Sequence, residues 1–312
     1  MSKKVLIMPI VAALLAVVLS GCEPLMVLNP KGPNAETLSK TIWISIATMV
    51  VVLAVVYILL INMLTKYRAG KMGADYEPPH EAGNHKLEIL WTVIPIVIVA
   101  FLSVVTIVTT KDVESKPEGY GDKKPLVVYA SSSEWKWHFS YPEQGIETVN
   151  YAHIPTDRPI EFRLYSFGTI TSFWVPQLAG QKYAMTDMLT KIHLAADHKG
   201  DYWGRNSNFN GEGFEAMQFN ITAESQADFD QWAKDVKAKE PKLTEKEFNK
   251  LLKASVVGQK SFSSTHLEFS KPPMDHKAMM DASKYNESKK GQKRADPEEH
   301  DMDDMDDMDS ME

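Results

Sequence analysis

Apolar and polar positions alternate along this chain with three different periods. A first apolar run, Val5 to Leu19, follows Lys3 and Lys4 and leads into Leu19-Ser20-Gly21-Cys22. Basic, apolar and small-residue regions in that order read as a signal peptide over residues 1–21. Two uncharged stretches come next, Ile42 to Leu64 and Ile89 to Thr110. Each exceeds the roughly 20 residues that span a bilayer core. Trp43 and Trp91 lie near their ends, where indole rings favour the membrane–water interface. The pattern predicts transmembrane helices over 41–65 and 88–110. Pro95, inside the second, removes one backbone donor, which membrane helices tolerate when neighbours compensate.

Beyond Pro125 the period shortens. Leu126–Ala130 is a short apolar run, and Glu134–Phe139 alternates so that Trp135, Trp137 and Phe139 share one strand face. Further strand-like runs fall at Ile160–Tyr165, Ser172–Pro176, Lys191–Ala195 and Ala216–Thr222, separated by Pro, Gly, Asn and Asp clusters. Short strands at this spacing predict a β-sandwich. From 223 the period becomes helical. Ser225 with Asp228, and Thr244 with Glu247, have capping-box spacing. Phe229, Trp232, Ala233 and Val236 form one apolar stripe and Phe248, Leu251 and Leu252 another, both read as packing faces.

Charge refines this division. Ten of the acidic side chains lie within 296–312, where no Lys or Arg occurs, and removing them turns the formal charge from −7 to +3. The remaining Lys and Arg are not clustered among aromatics, so no nucleic-acid partner is indicated. Lys66, Arg68, Lys71 and Lys86 crowd the connection between the two apolar runs, which the positive-inside rule places in the cytoplasm. The tail, 271–312, repeats Met and Asp; thioethers bind Cu(I), but an acidic tail kept disordered by like-charge repulsion is the simpler reading. The only cysteine is Cys22. No disulfide and no thiolate cluster can form within the chain.

Leu19-Ser20-Gly21-Cys22 resembles the lipobox of bacterial lipoproteins, which implies a mature chain that starts at Cys22 and carries lipid there. An external N-terminus followed by two spans returns the chain to the outside, in agreement with the basic loop. The expected organisation is then a lipidated external segment over 22–40, a first span over 41–65, a cytoplasmic loop over 66–87 and a second span over 88–110. An external domain over 111–222, a helical extension over 223–270 and the tail complete it.

The stretch 168–217 resembles the external domain of haem–copper oxidase subunit II, which implies a cupredoxin-like β-sandwich. The fold class expected is thus membrane-anchored all-β: two transmembrane helices, then that sandwich with an appended helical segment. The family's first copper ligand is a His directly before a Ser-Phe-Trp-Val-Pro-like strand. Here Ser172-Phe173-Trp174-Val175-Pro176 follows Thr171. The second family segment reads Gly-x-Cys-Ser-Glu-x-Cys-Gly-x-x-His-x-x-Met, against Gly204 to Met217 here. Both thiolate positions hold amides (Asn206, Asn210), the Glu position holds Asn208, the second His position holds Phe214, and Met217 alone is retained. A copper pair needs two thiolates to share its charge, so no metal is expected in this chain.

A retained frame without ligands resembles the quinol-oxidase branch. Glu88–Pro95 is similar to the family's second membrane helix, and Trp135-Lys136-Trp137 to its Trp-Tyr-Trp segment, with Lys136 in place of Tyr. Segments 141–150 and 204–209 resemble the menaquinol-using oxidases of Gram-positive bacteria. The resemblance implies an accessory subunit with no cofactor of its own. Haems, the remaining copper and the quinol would reside in a partner subunit I. It further implies that Glu88 sits at the mouth of a proton channel, where a carboxylate gathers protons. The competing reading is a membrane-tethered lipoprotein that binds or delivers copper on a borrowed frame.

Overall fold

In the computed structural model, residues 25–67 and 83–275 are described. Cys22, Arg68, Lys71 and residues 276–312 lie outside that set. Helix α1 spans Pro33–Lys66 and α2 spans His85–Glu114. Both overrun the apolar stretches, because helix-compatible polar turns flank them. Pro33 opens α1 in the first turn, where its missing N–H costs nothing. Asn84 caps α2 by accepting from the backbone N–H groups of Lys86 and Leu87. Helix α2 runs through Pro95 without a break. The 34 residues of α1 extend about 50 Å, more than a bilayer core requires. Both helices leave their most apolar windows wholly exposed in the isolated chain. In water that would be untenable. Faces of this length and composition belong in a membrane.

Eleven strands build two facing sheets among the described residues. They are β1 (Leu126–Ser133), β2 (Lys136–Tyr141), β3 (Ile146–Val149), β4 (Tyr151–Pro155), β5 (Ile160–Ser166), β6 (Thr171–Trp174), β7 (Gln181–Ala184), β8 (Thr190–Leu194), β9 (Gly200–Asn206), β10 (Gln218–Glu224) and β11 (Lys260–Phe262). One sheet has the order β11-β3-β2-β1-β5-β8, the other β4-β10-β9-β6-β7. Pairing is antiparallel except for β1 with β5 and β4 with β10. The interior is aromatic. Phe173 stacks on Phe219 at 5.0 Å, and Trp137 meets Phe173 edge-on at 5.4 Å. Such pairs add about 0.5–1.5 kcal/mol each beyond the area they bury.

Two short helices follow β10, α3 (Gln226–Lys239) and α4 (Glu245–Leu252). Their starts are as the capping pattern predicts: Ser225 accepts from the N–H of Asp228 and Thr244 from that of Glu247. Phe229, Ala233 and Val236 bury one face of α3, and Phe248 and Leu251 bury one face of α4. The extension is less purely helical than its periodicity suggests, since it returns β11 to the edge of the first sheet beside β3.

The sandwich is joined closely to the helix ends. Lys31 donates its N–H to the Gln177 carbonyl at 2.7 Å and accepts from Asp197 N–H at 2.9 Å. Gly32 sits where a Cβ would fall 2.0 Å from the Ala195 carbonyl oxygen, so no larger residue fits that approach. Asn34 donates to the Val113 carbonyl, linking α1 to α2, and Lys182 on β7 pairs with Glu114 at 2.9 Å.

Candidate functional site

Thr171, Asn206, Asn208, Asn210, Phe214 and Met217, singled out by sequence, converge at one end of the second sheet. Strand β6 brings Phe173 opposite Asn206 of β9, and the loop 207–217 closes back to β10. Two of the asparagines there, Asn206 and Asn208, are tied to the backbone. Asn206 accepts on its carbonyl oxygen from the N–H of Ser172 at 2.8 Å and of Asn208 at 3.0 Å, and donates to the Asn208 carbonyl at 2.7 Å. Asn208 donates its amide to the Ile170 carbonyl at 2.8 Å. Asn210 donates to the Met217 sulfur at 3.3 Å. Thr171 shares a hydroxyl contact of 2.7 Å with Ser132. The Phe214 ring lies against Phe209 and beneath the Arg205 guanidinium, 5.5 and 5.3 Å away.

Those contacts decide what the loop can bind. Amide oxygens and a single buried thioether are weak donors for a soft, redox-active copper pair, and the amides of Asn206 and Asn208 are already engaged with the backbone, while Asn210 Oδ1 is buried without a partner. The residues present do not fit a binuclear copper centre. Among the described residues no group of three or more His, Cys, Asp or Glu is arranged to hold a metal ion. The loop is held by hydrogen bonds.

Trp135 departs from the sequence expectation. It is not on β2 but in the preceding turn with φ 66°, so it does not share a strand face with Trp137 and Phe139. Its indole N–H donates to the Asn210 carbonyl at 3.1 Å. The ring covers Gly213, whose absent Cβ would lie 2.2 Å from it. Trp137 and Phe139 do point into the core as expected. Glu88 lies in the first turn of α2, exposed, with its carboxylate 3.4 Å from the His85 imidazole. It stands far along α2 from the sandwich and takes no part in the loop.

One constellation was not anticipated. Lys136, His138 and Ser140 alternate with the core aromatics of β2, yet every residue of β2 is buried. The extension covers them. Glu147 on β3 accepts from Ser140 Oγ at 2.8 Å, from the His266 N–H at 2.8 Å and from His266 Nδ1 at 2.7 Å. Tyr165 meets His266 Nε2 at 2.6 Å. Burial alone would raise the Glu147 carboxyl, but its neighbours, His266 foremost, hold it well below the usual carboxylate range. Lys136 donates to the carbonyls of Glu134 and Lys253, and burial lowers it to about 8. The three-residue polar alternation in β2 was the only available sign. Periodicity does not tell a wet face from one covered by a later segment.

The family described as cytochrome c oxidase subunit II, transmembrane domain, matches residues 30–108. The quinol oxidase subunit 2 of Bacillus subtilis (strain 168) is 48% identical over 88% of this chain and 87% of its own length. That of Bacillus cereus is 45% identical over 81% of this chain and 88% of its own. Among solved structures, the periplasmic domain of cytochrome oxidase subunit II from Bradyrhizobium japonicum aligns with 38% of this chain and 96% of its own, at 21% identity and a TM-score of 0.36. On the extent and identity of the Bacillus relatives, this chain belongs to the quinol oxidase subunit 2 family.

Proposed function

We propose that this chain serves as subunit II of a proton-translocating terminal oxidase that takes electrons from quinol, with menaquinol as the donor, and reduces oxygen to water. It is a non-catalytic member of the oxidoreductase complex. The relatives named quinol oxidase subunit 2 support the assignment. The observation that carries the electron-donor reading is the donor set at 171 and 206–217. No thiolate is available there, and the sequence has one cysteine, at 22. A subunit without a copper relay is of use only where electrons enter elsewhere. In this reading quinol delivers them at subunit I, which holds the haems and the remaining copper. Helices α1 and α2 brace that subunit, and the sandwich caps it on the outer side of a bacterial cell membrane.

Two finer assignments belong to the same reading. Cys22 carries the lipid that fixes the N-terminus outside, and the basic connection containing Lys66 and Lys86 lies in the cytoplasm. Glu88 then faces the cytoplasm and gathers protons at the entrance of a channel into subunit I. The copper-delivery alternative draws only on the Met/Asp tail, outside the described residues, whereas family membership favours the oxidase.

Purification in mild detergent tests the assignment. The tagged chain is expected to bring down a haem-bearing integral subunit, visible in the absorption spectrum. Recovery of the folded chain alone, without haem, contradicts it. For Glu88, the Glu88→Gln complex is expected to turn over more slowly, with a loss of the order of tenfold or less, as befits a group that assists proton collection. An unchanged rate at every pH removes that role.

A further inference from the structure

The buried cluster beneath the extension leaves two facing polar atoms without a hydrogen-bond partner. One choice of imidazole tautomers satisfies all of its other hydrogen bonds. Ser133 Oγ donates its one hydrogen to the Leu251 carbonyl at 3.2 Å, so it must accept from His138 Nε2 at 2.9 Å. His138 therefore carries its proton on Nε2 and presents a bare Nδ1. Glu147 Oε2 receives the Ser140 hydroxyl, the His266 N–H and the His266 Nδ1–H, which marks it as an ionised carboxylate. Tyr165 then donates to His266 Nε2. What remains is His138 Nδ1 facing Glu147 Oε1 across 3.7 Å, both fully buried and neither with a hydrogen-bond partner. With the imidazoles so assigned, two lone-pair-bearing atoms face one another beside a negative charge removed from solvent.

We propose that this gap is a proton-binding site, and that its occupation loosens the C-terminal extension from the sandwich. A proton from solvent would rest on His138 Nδ1, turn the imidazole into a cation and pull it toward Glu147 Oε1. A hydrogen bond requires about 2.7–2.9 Å, so the ring must move by nearly 1 Å. That movement draws Nε2 away from Ser133, which holds the last turn of α4 through Leu251. Phe248 of α4 rests on both rings, stacked on His266 at 4.6 Å and edge-on to His138 at 5.5 Å. A shift of His138 therefore disturbs the polar and the apolar attachment of α4 together.

The surrounding charges do not mask the effect. Lys136 on β2, Glu147 on β3, Tyr165 on β5 and His266 after α4 are the titratable groups around His138; from β1 come only Ser131 and Ser133, and α4 offers Phe248 and Leu251. Lys136 gains its proton near 8, above the range in question, and protonation strengthens its hold on the Lys253 carbonyl. Burial pushes the His138 imidazole below its ordinary value, with Glu147 acting against that shift. The response accordingly lies on the acid side of neutrality. The cluster would respond in this way whether or not the chain serves an oxidase.

Amide hydrogen exchange of the full-length protein in detergent, corrected for the intrinsic pH dependence of exchange, tests it. Between about pH 7.5 and pH 5.5, where imidazoles titrate, protection of residues 243–269 should fall by about tenfold, as expected when a proton binds the loosened form about ten times more tightly. Strands β1 and β5 should hold theirs. His138→Gln keeps a donor toward Ser133 without a proton site, and should make protection of the extension independent of pH over that range. No local fall in the wild type overturns the proposal. So does a wild-type response in His138→Gln, which would put the proton elsewhere, on His266 for instance. If His138→Gln fails to fold, the wild-type profile decides: local loosening of 243–269 ahead of the strands supports the site, and uniform loosening or none overturns it.

Discussion

Single side chains hold the loop 207–217 in place. Asn206 makes three hydrogen bonds, to Ser172, Asn208 N–H and Asn208 carbonyl, and is fully buried. Asn206→Ala leaves those backbone groups unpaired, and such a loss costs about 1–3 kcal/mol. A lower midpoint in thermal or urea unfolding checks this. Gly213→Ala should cost a similar amount, since its Cβ would enter the Trp135 indole and overpacking costs about 1–3 kcal/mol. Identity and spacing singled out Thr171 and the stretch from Asn206 to Met217 in the sequence. The hydrogen bonds that hold that loop were not legible, because an amide's partners are largely backbone groups that only the folded loop supplies. Trp135 was misplaced for a related reason: strand alternation continues through it, but a left-handed backbone angle ends the strand at Lys136.

At the level of elements, the extension is part of the sandwich. It adds β11 to the first sheet, buries Phe229, Phe248 and Leu251, and supplies His266 to the Glu147 cluster. Capping pairs and apolar stripes made α3 and α4 readable in advance, while β11, three residues long, gave no periodic signal. Thr244→Ala removes the cap of α4 and should lower stability by about 1 kcal/mol, seen first as faster exchange in 245–252. The pH dependence of the whole domain follows from the same cluster. Glu147 is held well below its ordinary value, so its stabilisation is full above the usual carboxylate range and is lost as pH falls through it. His138, lowered by burial, likewise favours the unfolded chain as pH drops below the ordinary imidazole value. The two signs agree. The unfolding midpoint should decline steadily from neutral pH toward pH ~4, because each tenfold difference in proton affinity between folded and unfolded chain is worth about 1.4 kcal/mol. Glu147→Gln should flatten the lower part of that curve.

For the molecule as a whole, two membrane-crossing helices carry a β-sandwich whose lower end is locked to them through Lys31, Gly32 and Lys182. The division into two spans and a sandwich was visible in the hydrophobic period, since runs longer than 20 residues and strand alternation are separate signals. The covering of β2 by the extension was not, because a contact between residues more than a hundred positions apart leaves no local pattern. In the function proposed, electrons bypass this subunit, and oxygen uptake by the purified complex tests that most directly. With a menaquinol analogue as donor, uptake should be rapid, and with a reduced soluble haem protein it should stay at background. Turnover supported only by the soluble haem protein would contradict the account.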